Sequence, residues 1–441
     1  MTETPVFRLL VSLSVPTVAT QLVTVAYNTA DTFFVSKIDN SASAAVGAAF
    51  ALQSAIQALG YGFGMGASSL ISRSLGAKKN DDAGRVGTSA FAGAFATGIL
   101  ILIFGLFFLT PLMTLLGSTE TMLPYACDYA RYIVIAAPVM CGAFVLNSIL
   151  KAEGDAAFSM IGMCAGSIVN IGLDPLLIFT FGLGISGAAI ATGISQLISF
   201  AILCIPFVRG RTIVKLKPGN ISLSPETYGR ILSTGFPTIC RQGLASISTT
   251  LLNRAAGVYG DVAVAGISLA NKVYLLVRNV VLGVGQGMQP IAGYNFGAGN
   301  KKRTKRVFRD SVILGTVICV VSSVFIGLFS ETVIGWFRDD PDVVSIGGTA
   351  LKFAAAVMPL MAYSTFVNQM YQCLGFRSQA TFLAACRQGV FFIPLALILP
   401  KILAVSGVEM LQPASDFCTF LISVPFCIVF YRKYLNESRN I

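Results

Sequence analysis

Apolar residues are grouped along this chain in long blocks that polar residues interrupt only briefly. A helix needs about 20 such residues to cross a hydrocarbon core of about 30 Å. The blocks predict twelve transmembrane helices, at residues 10–35, 44–72, 87–110, 124–150, 158–180, 186–208, 229–257, 262–293, 308–330, 346–372, 380–402 and 411–432. No soluble domain is left over. The pattern therefore predicts an all-α polytopic membrane protein, because helices satisfy their own backbone hydrogen bonds in lipid.

The composition agrees with lipid as the main solvent of the chain. Of its 441 residues, 55% are hydrophobic and 12% are charged, whereas about a quarter of the residues in soluble domains are charged. The ten cysteines form no CxxC pair and are interpreted as small buried side chains. There is no histidine, which excludes His-dependent catalytic triads and His metal sites. We therefore expect no enzyme activity and no cofactor.

The net charge is +11, and the basic residues that produce it are distributed as a membrane topology requires. Lys and Arg are concentrated in the loops 73–85, 209–230 and 301–309, whereas the intervening loops carry few basic residues. Loops rich in Lys and Arg stay in the cytoplasm during insertion. We therefore expect an inner-membrane protein with both termini in the cytoplasm and no nucleic-acid partner.

The chain repeats itself weakly at half its length. A shift of 221 residues aligns Pro16 with Pro237 and Gln21 with Gln242, and aligns a series of glycines at the ends of spans 2 and 8. Each half has an even number of spans, so the repeat predicts two six-helix lobes related by a parallel pseudo-two-fold axis. The predicted parts are an N-lobe at 1–208 (spans 1–6), a cytoplasmic linker at 209–228, and a C-lobe at 229–441 (spans 7–12 and a short tail). Two such lobes can rock to give alternating access.

Acidic residues deep inside the first-half spans are the main candidates for chemistry. Asp31 in span 1 and Asp174 in span 5 are such residues, and a carboxylate in lipid is costly enough to suggest a function. The predicted topology places both, with Thr192 of span 6, roughly 6–9 Å below the outer membrane boundary. Three polar groups from three helices are thus expected in one layer.

Asn170 and Asp174 lie one helical turn apart and share a helix face, while Pro175 leaves the carbonyl of Ile171 without its helical donor. This set predicts a site for a small cation or a proton. The alternative is a static bundle in which Ser, Thr and backbone donors satisfy both carboxylates.

The second half is richer in basic residues. Its spans contain Arg241, Lys272, Arg278 and Arg387, and Asp416 is the one candidate partner for them. This asymmetry indicates that ion coupling belongs to the first half, and it leaves the charge of the cargo open.

Four segments carry a family resemblance that covers the whole chain. They are YNTADTFFV at 27–35, NIGLDP at 170–175, GISGAAIAT at 184–192, and QP at 289–290 with YNFGA at 294–298. Together they resemble the signatures of the multidrug and toxic compound extrusion (MATE) family, most closely its DNA-damage-inducible-type and multidrug-pump branch.

The resemblance implies an antiporter that exports organic, often cationic and amphipathic, compounds in exchange for H⁺ or Na⁺. It implies an ion site at Asp31, Asn170, Asp174 and Thr192, with a helix bend at Pro175, and no other metal. Other branches have acidic residues in spans 7 and 10, and this sequence has none there. A substrate cavity is expected to include the following residues: Tyr27, Asn28, Arg241, Gln242, Arg278 and Gln289.

Two other functions fit parts of this pattern. The basic residues of the second half fit an exporter or flippase of a lipid-linked or anionic molecule on the same fold, although such proteins commonly have more than twelve spans. A membrane-embedded enzyme would need a nucleophile or metal set that the sequence lacks. The expected partners of the transporter are small organic substrates and the lipid bilayer, and the expected state is a monomer.

Overall fold

A computed structural model describes residues 1–37 and 40–435, in which helices make up nearly all of the chain and no strand occurs. The α-helices are α1 (Val6–Ser36), α2 (Asn40–Gly76), α3 (Asn80–Phe107), α4 (Leu109–Leu115), α5 (Leu123–Glu153), α6 (Ala156–Pro175), α7 (Gly184–Val208), α8 (Pro225–Gly257), α9 (Asp261–Gly297), α10 (Lys301–Gly335), α11 (Pro341–Leu374), α12 (Arg377–Ala385), α13 (Phe392–Glu409) and α14 (Leu411–Phe430). Three π-helical segments occupy Leu176–Thr180, Cys386–Val390 and Tyr431–Leu435, and one 3₁₀ turn occupies Pro218–Asn220.

Helices occupy all twelve predicted spans. The eleventh span is formed by α12, the π segment Cys386–Val390 and α13 in succession. The third span runs from α3 into α4, the fifth and twelfth spans continue from α6 and α14 into the π segments that follow them, and the other spans correspond to single long helices. In the described residues, ten segments are long and apolar enough to cross a membrane. The helices α2 and α8 have 37 and 33 residues but are not among these ten. Three arginines and a run of Ser and Thr residues lower the mean hydropathy of α8.

The chain forms two compact units whose limits differ from the predicted lobes. The N-unit is Ala19–Gln242, and the C-unit is Met1–Val18 together with the chain from Gly243 on. The boundaries fall inside α1 and α8, so the first half of α1 belongs to the C-unit and the first half of α8 belongs to the N-unit. The predicted linker is therefore part of the N-unit, and the chain passes between units in the middle of two helices.

In the N-unit, α5 is the central helix and is buried along most of its length. Small residues let neighbouring helices approach it closely: Gly60 and Gly64 of α2 face Phe144 and Ser148, and Gly98 of α3 faces Pro138. Close approach through glycine is typical of helix packing in membranes, where lipid offers no hydrophobic driving force between helices. The N-unit is thus organised around α5.

In the C-unit, α11 has the corresponding central position, with α9, α10 and α14 around it. The first half of α1 packs on α9, where the Thr17 hydroxyl donates to the carbonyl of Gly283 at 2.7 Å. A Cβ on Gly283 or on Gly287 would collide with the backbone of α1. The close α1–α9 contact explains why residues 1–18 belong to this unit.

The internal repeat is visible in two matching connections. The side chain of Asn147 on α5 accepts a hydrogen bond from Ser159 of α6, and the Asn368 amide on α11 donates to the carbonyl of Ala380 on α12 at 2.7 Å. Both central helices end at a left-handed glycine, with φ of 98° at Gly154 and 88° at Gly375. The 221-residue shift therefore relates equivalent structure as well as sequence.

Gly235 of α8 provides a test of the α2–α8 contact. A Cβ at this position would overlap the carbonyl of Gly62 on α2, so we expect Gly235→Ala to cost about 1–3 kcal/mol of stability. The matched control is Gly243→Ala, where no atom lies within 4 Å of the added Cβ and alanine favours the helix. Thermal unfolding in detergent should separate the two variants, and equal midpoints would contradict this packing.

Candidate functional site

Two buried carboxylates interact in the interior of the N-unit. Asp31, on the second half of α1, is 9% exposed, and Asp174, near the end of α6, is fully buried. The two side chains lie close enough to repel each other electrostatically. One oxygen of each, Oδ1 of Asp31 and Oδ2 of Asp174, is buried and accepts no hydrogen bond. Buried polar atoms are rarely left unpaired, so each such atom needs an explanation.

Asn170 shares a helix face with Asp174, as its spacing predicted. Its side-chain nitrogen donates to Asp174 Oδ1 at 3.3 Å, while its own Oδ1 is buried without a donor. Pro175 ends α6, and the π-helical segment Leu176–Thr180 follows it directly. The proline and the π segment together interrupt the regular helix immediately after the carboxylate.

Tyr129 of α5 joins Asp31 to Thr192. Its hydroxyl is hydrogen-bonded to the Asp31 carboxylate and to the Thr192 side chain on α7. Tyr129 is 1% exposed and Thr192 is 2% exposed. Tyr27, one turn before Asp31 on α1, is also buried and is hydrogen-bonded to Gln57 of α2. The site therefore includes side chains from five helices of one unit.

This arrangement suits a small cation or a proton. It offers two carboxylates, an amide oxygen and hydroxyl groups, which are hard oxygen ligands, in a buried pocket where two negative charges repel. No group of three or more His, Cys, Asp or Glu side chains that could together hold a metal ion occurs in the described ranges 1–37 and 40–435. The donor set resembles an alkali-cation or proton site more than a transition-metal site.

The structure brings together all four residues predicted for ion coupling, and it adds Tyr129. The sequence alone does not predict Tyr129, because a tyrosine in a membrane span is also common as an apolar contact, whereas a buried carboxylate is costly enough to suggest a function. Tyr129 lies near the start of the predicted span 124–150, at the depth estimated for Asp31 and Asp174. Extending the same depth criterion to tyrosine hydroxyls would have found it.

The six residues predicted for a substrate cavity are divided between the two units. The N-unit holds Tyr27, Asn28, Arg241 and Gln242, and the C-unit holds Arg278 and Gln289. Gln289 is 5% exposed and donates to Gln369 of α11 at 3.5 Å, so it is part of the interior of the C-unit. The shared cavity stays a prediction.

The C-unit contains a buried ion pair. The Arg387 guanidinium donates from Nε to Asp416 Oδ1 at 2.6 Å, and Gln412 donates to the same oxygen at 3.2 Å. Tyr274 is hydrogen-bonded to both Arg387 and Asp416. Asp416, the one predicted partner for four basic residues, is therefore paired with Arg387. Arg278 lines a small cavity beside this network, with Tyr274 and Gln388.

A protein-family model and known multidrug export proteins match most of this chain. The MatE family model matches residues 16–176 and 237–398. The multidrug export protein MepA of Staphylococcus aureus (strain MSSA476) is 28% identical over 407 residues, which cover 92% of this chain and 90% of MepA. MepA of Staphylococcus saprophyticus is 26% identical over the same length.

Solved structures are similar over nearly the whole chain. A crystal structure of MATE in complex with MaL6 has a TM-score of 0.91 and 27% identity, covering 97% of both chains. A MOP superfamily transporter from Pyrococcus furiosus, described as having a binding pocket of reverse polarity, has a TM-score of 0.90 and 27% identity, again over 97% of both chains.

Proposed function

Because this chain belongs to the MatE family of membrane transporters, we propose that it exports organic, cationic or amphipathic compounds in exchange for H⁺ or Na⁺. Its similarity to the multidrug export protein MepA supports this proposal. The observation that carries it is the pair of buried carboxylates, Asp31 and Asp174, each with an oxygen that accepts no hydrogen bond. A proton or Na⁺ would supply the positive charge that these oxygens lack.

Ion binding at this site drives the cycle by favouring one of two conformations. A ligand shifts such an equilibrium only by its differential affinity for the two states. If the ion stabilises the state that binds the organic substrate weakly, the ion and the substrate antagonise each other and are exchanged. Rocking of the two lobes would open the ion site and the substrate site to one side of the membrane at a time.

Efflux from proteoliposomes tests this function directly. The purified protein is reconstituted with a cationic dye inside, and a proton gradient and a sodium gradient are imposed separately. We expect dye release that is accelerated by one of the gradients and absent from protein-free liposomes. Release that neither gradient affects would exclude antiport by either ion.

An exporter or flippase of an anionic or lipid-linked molecule is the second candidate. Arg278, which lines a cavity in the C-unit, favours it. Arg387 does not, because Asp416 neutralises its charge. Replacing the cationic dye with an anionic one in the same assay distinguishes the two candidates.

The proposal includes the membrane topology and the assembly state. Both termini lie on the cytoplasmic side of the inner membrane, because the basic loops follow that orientation. The protein works there as a monomer. It binds no nucleic acid and no cofactor other than the coupling ion. The side on which each terminus lies can be measured with reporters that are active on only one side of the membrane, fused to each terminus in turn.

Tyr129→Phe tests whether the hydroxyl takes part in coupling. The ring and its packing on α5 are kept, while the hydrogen bonds to Asp31 and Thr192 are lost. With Na⁺ as the coupling ion, we expect the concentration needed for half-maximal transport to rise about tenfold, since a hydrogen bond to a charged group contributes about 1.5–3 kcal/mol. With H⁺, we expect it to fall by a similar factor, because the donor that stabilises the ionised Asp31 carboxylate is lost. Tyr125→Phe is the matched control because Tyr125, one turn earlier, is 40% exposed. An unchanged ion dependence in Tyr129→Phe would exclude this role.

A further inference from the structure

A cleft of about 410 Å³ lies at one end of the N-unit, where α5 ends, α6 begins and α7 ends. It lies at the opposite ends of α5, α6 and α7 from the ion-site residues Tyr129, Asp174 and Thr192, and it belongs to no part of the proposed transport cycle. Its lining includes two carboxylates, Glu153 and Asp155, and two guanidinium groups, Arg209 and Arg211. Phe158 and Ile205 contribute apolar walls.

In one of the two carboxylates, both oxygens accept backbone hydrogen bonds. Glu153 accepts hydrogen bonds from the backbone nitrogens of Val214 at 2.6 Å and Ile213 at 3.2 Å, which fixes the loop after α7 against the end of α5. Asp155 accepts one bond through Oδ1, from the backbone nitrogen of Phe158 at 3.1 Å, and caps α6. Asp155 is therefore the carboxylate with capacity for a ligand.

The two guanidinium groups have no ion-pair partner among the described residues. Arg209 and Arg211 are both exposed at the edge of the cleft. Guanidinium groups form strong, directional hydrogen bonds with phosphate oxygens. The cleft thus offers groups for an anion and one group for a cation.

An apolar stripe leads away from the cleft along α6. Phe158, Ile161 and Ile168 lie on one face of this helix by their spacing, and Ile161 and Ile168 are 52% and 62% exposed. On α7, Leu197 and Ile205 are 54% and 37% exposed. In a membrane-spanning helix, a face of this kind contacts lipid chains. The cleft is therefore continuous with surface that suits an acyl chain.

We propose that this cleft binds the headgroup of a phosphatidylethanolamine-type phospholipid. Arg209 and Arg211 contact the phosphate, Asp155 contacts the ammonium group, and one acyl chain follows the apolar stripe of α6. A headgroup with both charges fits because the cleft offers both. A purely anionic headgroup would leave Asp155 unpaired beside the phosphate. The bound lipid would also hold the start of the segment that connects α7 to α8 in place.

Native mass spectrometry of the full-length protein tests this site without a transport assay. The protein in detergent is titrated with dioleoyl phosphatidylethanolamine, phosphatidylglycerol or phosphatidylcholine. We expect the ethanolamine lipid to bind most tightly. We expect Arg209→Gln/Arg211→Gln to weaken its binding about tenfold, because each exposed charge contact changes affinity several-fold. Asp155→Asn should remove the preference for ethanolamine, while asparagine still caps α6.

The matched control is Lys215→Gln/Lys217→Gln, which removes the same charge from the same loop outside the cleft. It should leave the binding of the ethanolamine lipid unchanged. The site is wrong if this control weakens binding as much as the arginine variant does. It is also wrong if phosphatidylglycerol binds as tightly as the ethanolamine lipid, or if Asp155→Asn leaves the preference intact.

Discussion

Replacing Asp174 with asparagine is expected to abolish ion-coupled transport while leaving the protein folded in the membrane. Asparagine keeps the shape of the side chain but removes the negative charge that the ion would neutralise. A buried charge interaction of about 3 kcal/mol or more corresponds to a loss of about 100-fold in ion affinity. Asp31→Asn should have a comparable effect, because the two carboxylates act on the same ion.

Dye efflux from proteoliposomes under the effective ion gradient measures this loss. The matched control is Asp128→Asn, in which the same change is made at an exposed position of the same unit, next to Tyr129. It should transport like the unmodified protein. Each variant is first shown to elute as a single species in detergent, so that a folding defect is not mistaken for lost coupling. Full gradient-driven efflux by Asp174→Asn would refute the assignment of the ion site.

Arg387→Met is expected to be among the most destabilising single substitutions in the chain. It would leave Asp416, whose side chain is fully buried, without its positive partner. Breaking a buried ion pair on one side costs about 3–5 kcal/mol, whereas replacing both partners with apolar residues is often neutral. The remaining donors, Tyr274 and Gln412, should keep the cost near the lower end. The double variant Arg387→Met/Asp416→Leu should recover most of the lost stability.

Thermal unfolding in detergent measures both effects. The exposed pair of Lys352 and Glu331, at 2.7 Å and with side chains 50% and 61% exposed, provides the control. Lys352→Met should cost at most about 1 kcal/mol, as is typical of surface pairs. We also expect the double variant of Arg387 and Asp416 to retain transport, because coupling is assigned to the N-unit. A stable double variant that does not transport would show that this pair takes part in the cycle.

The fold could be predicted from the sequence because lipid simplifies the problem. Each span must be a long apolar helix, so a count of apolar blocks gives the number and the approximate ends of the helices. The unit boundaries inside α1 and α8 could not be predicted in this way. They depend on which glycines meet which backbone segments, such as Gly283 against α1 and Gly235 against α2, and periodicity carries no information about such pairings.

The residues of the ion site could be grouped from the sequence because side chains at the same depth in the membrane can meet. Asp31, Asp174 and Thr192 come from three helices at one predicted level, and the structure brings them into one unit. The pairing in the C-unit was less predictable. Arg387 lies in the π-helical segment Cys386–Val390, which shifts the helical register by one residue and changes the direction of its side chain. A regular helix assumed from the sequence does not show which basic residue reaches Asp416.

The unit boundaries have a consequence for working with parts of this chain. A fragment that ends at residue 208 would lack Pro225–Gln242, which complete the N-unit, and one that starts at residue 229 would lack Val6–Val18, which complete the C-unit. Each fragment would expose glycine-lined grooves that a helix from the other fragment normally fills. The two halves would therefore have to be produced together, as co-expressed pieces that exchange these helices, for either to reach its native packing.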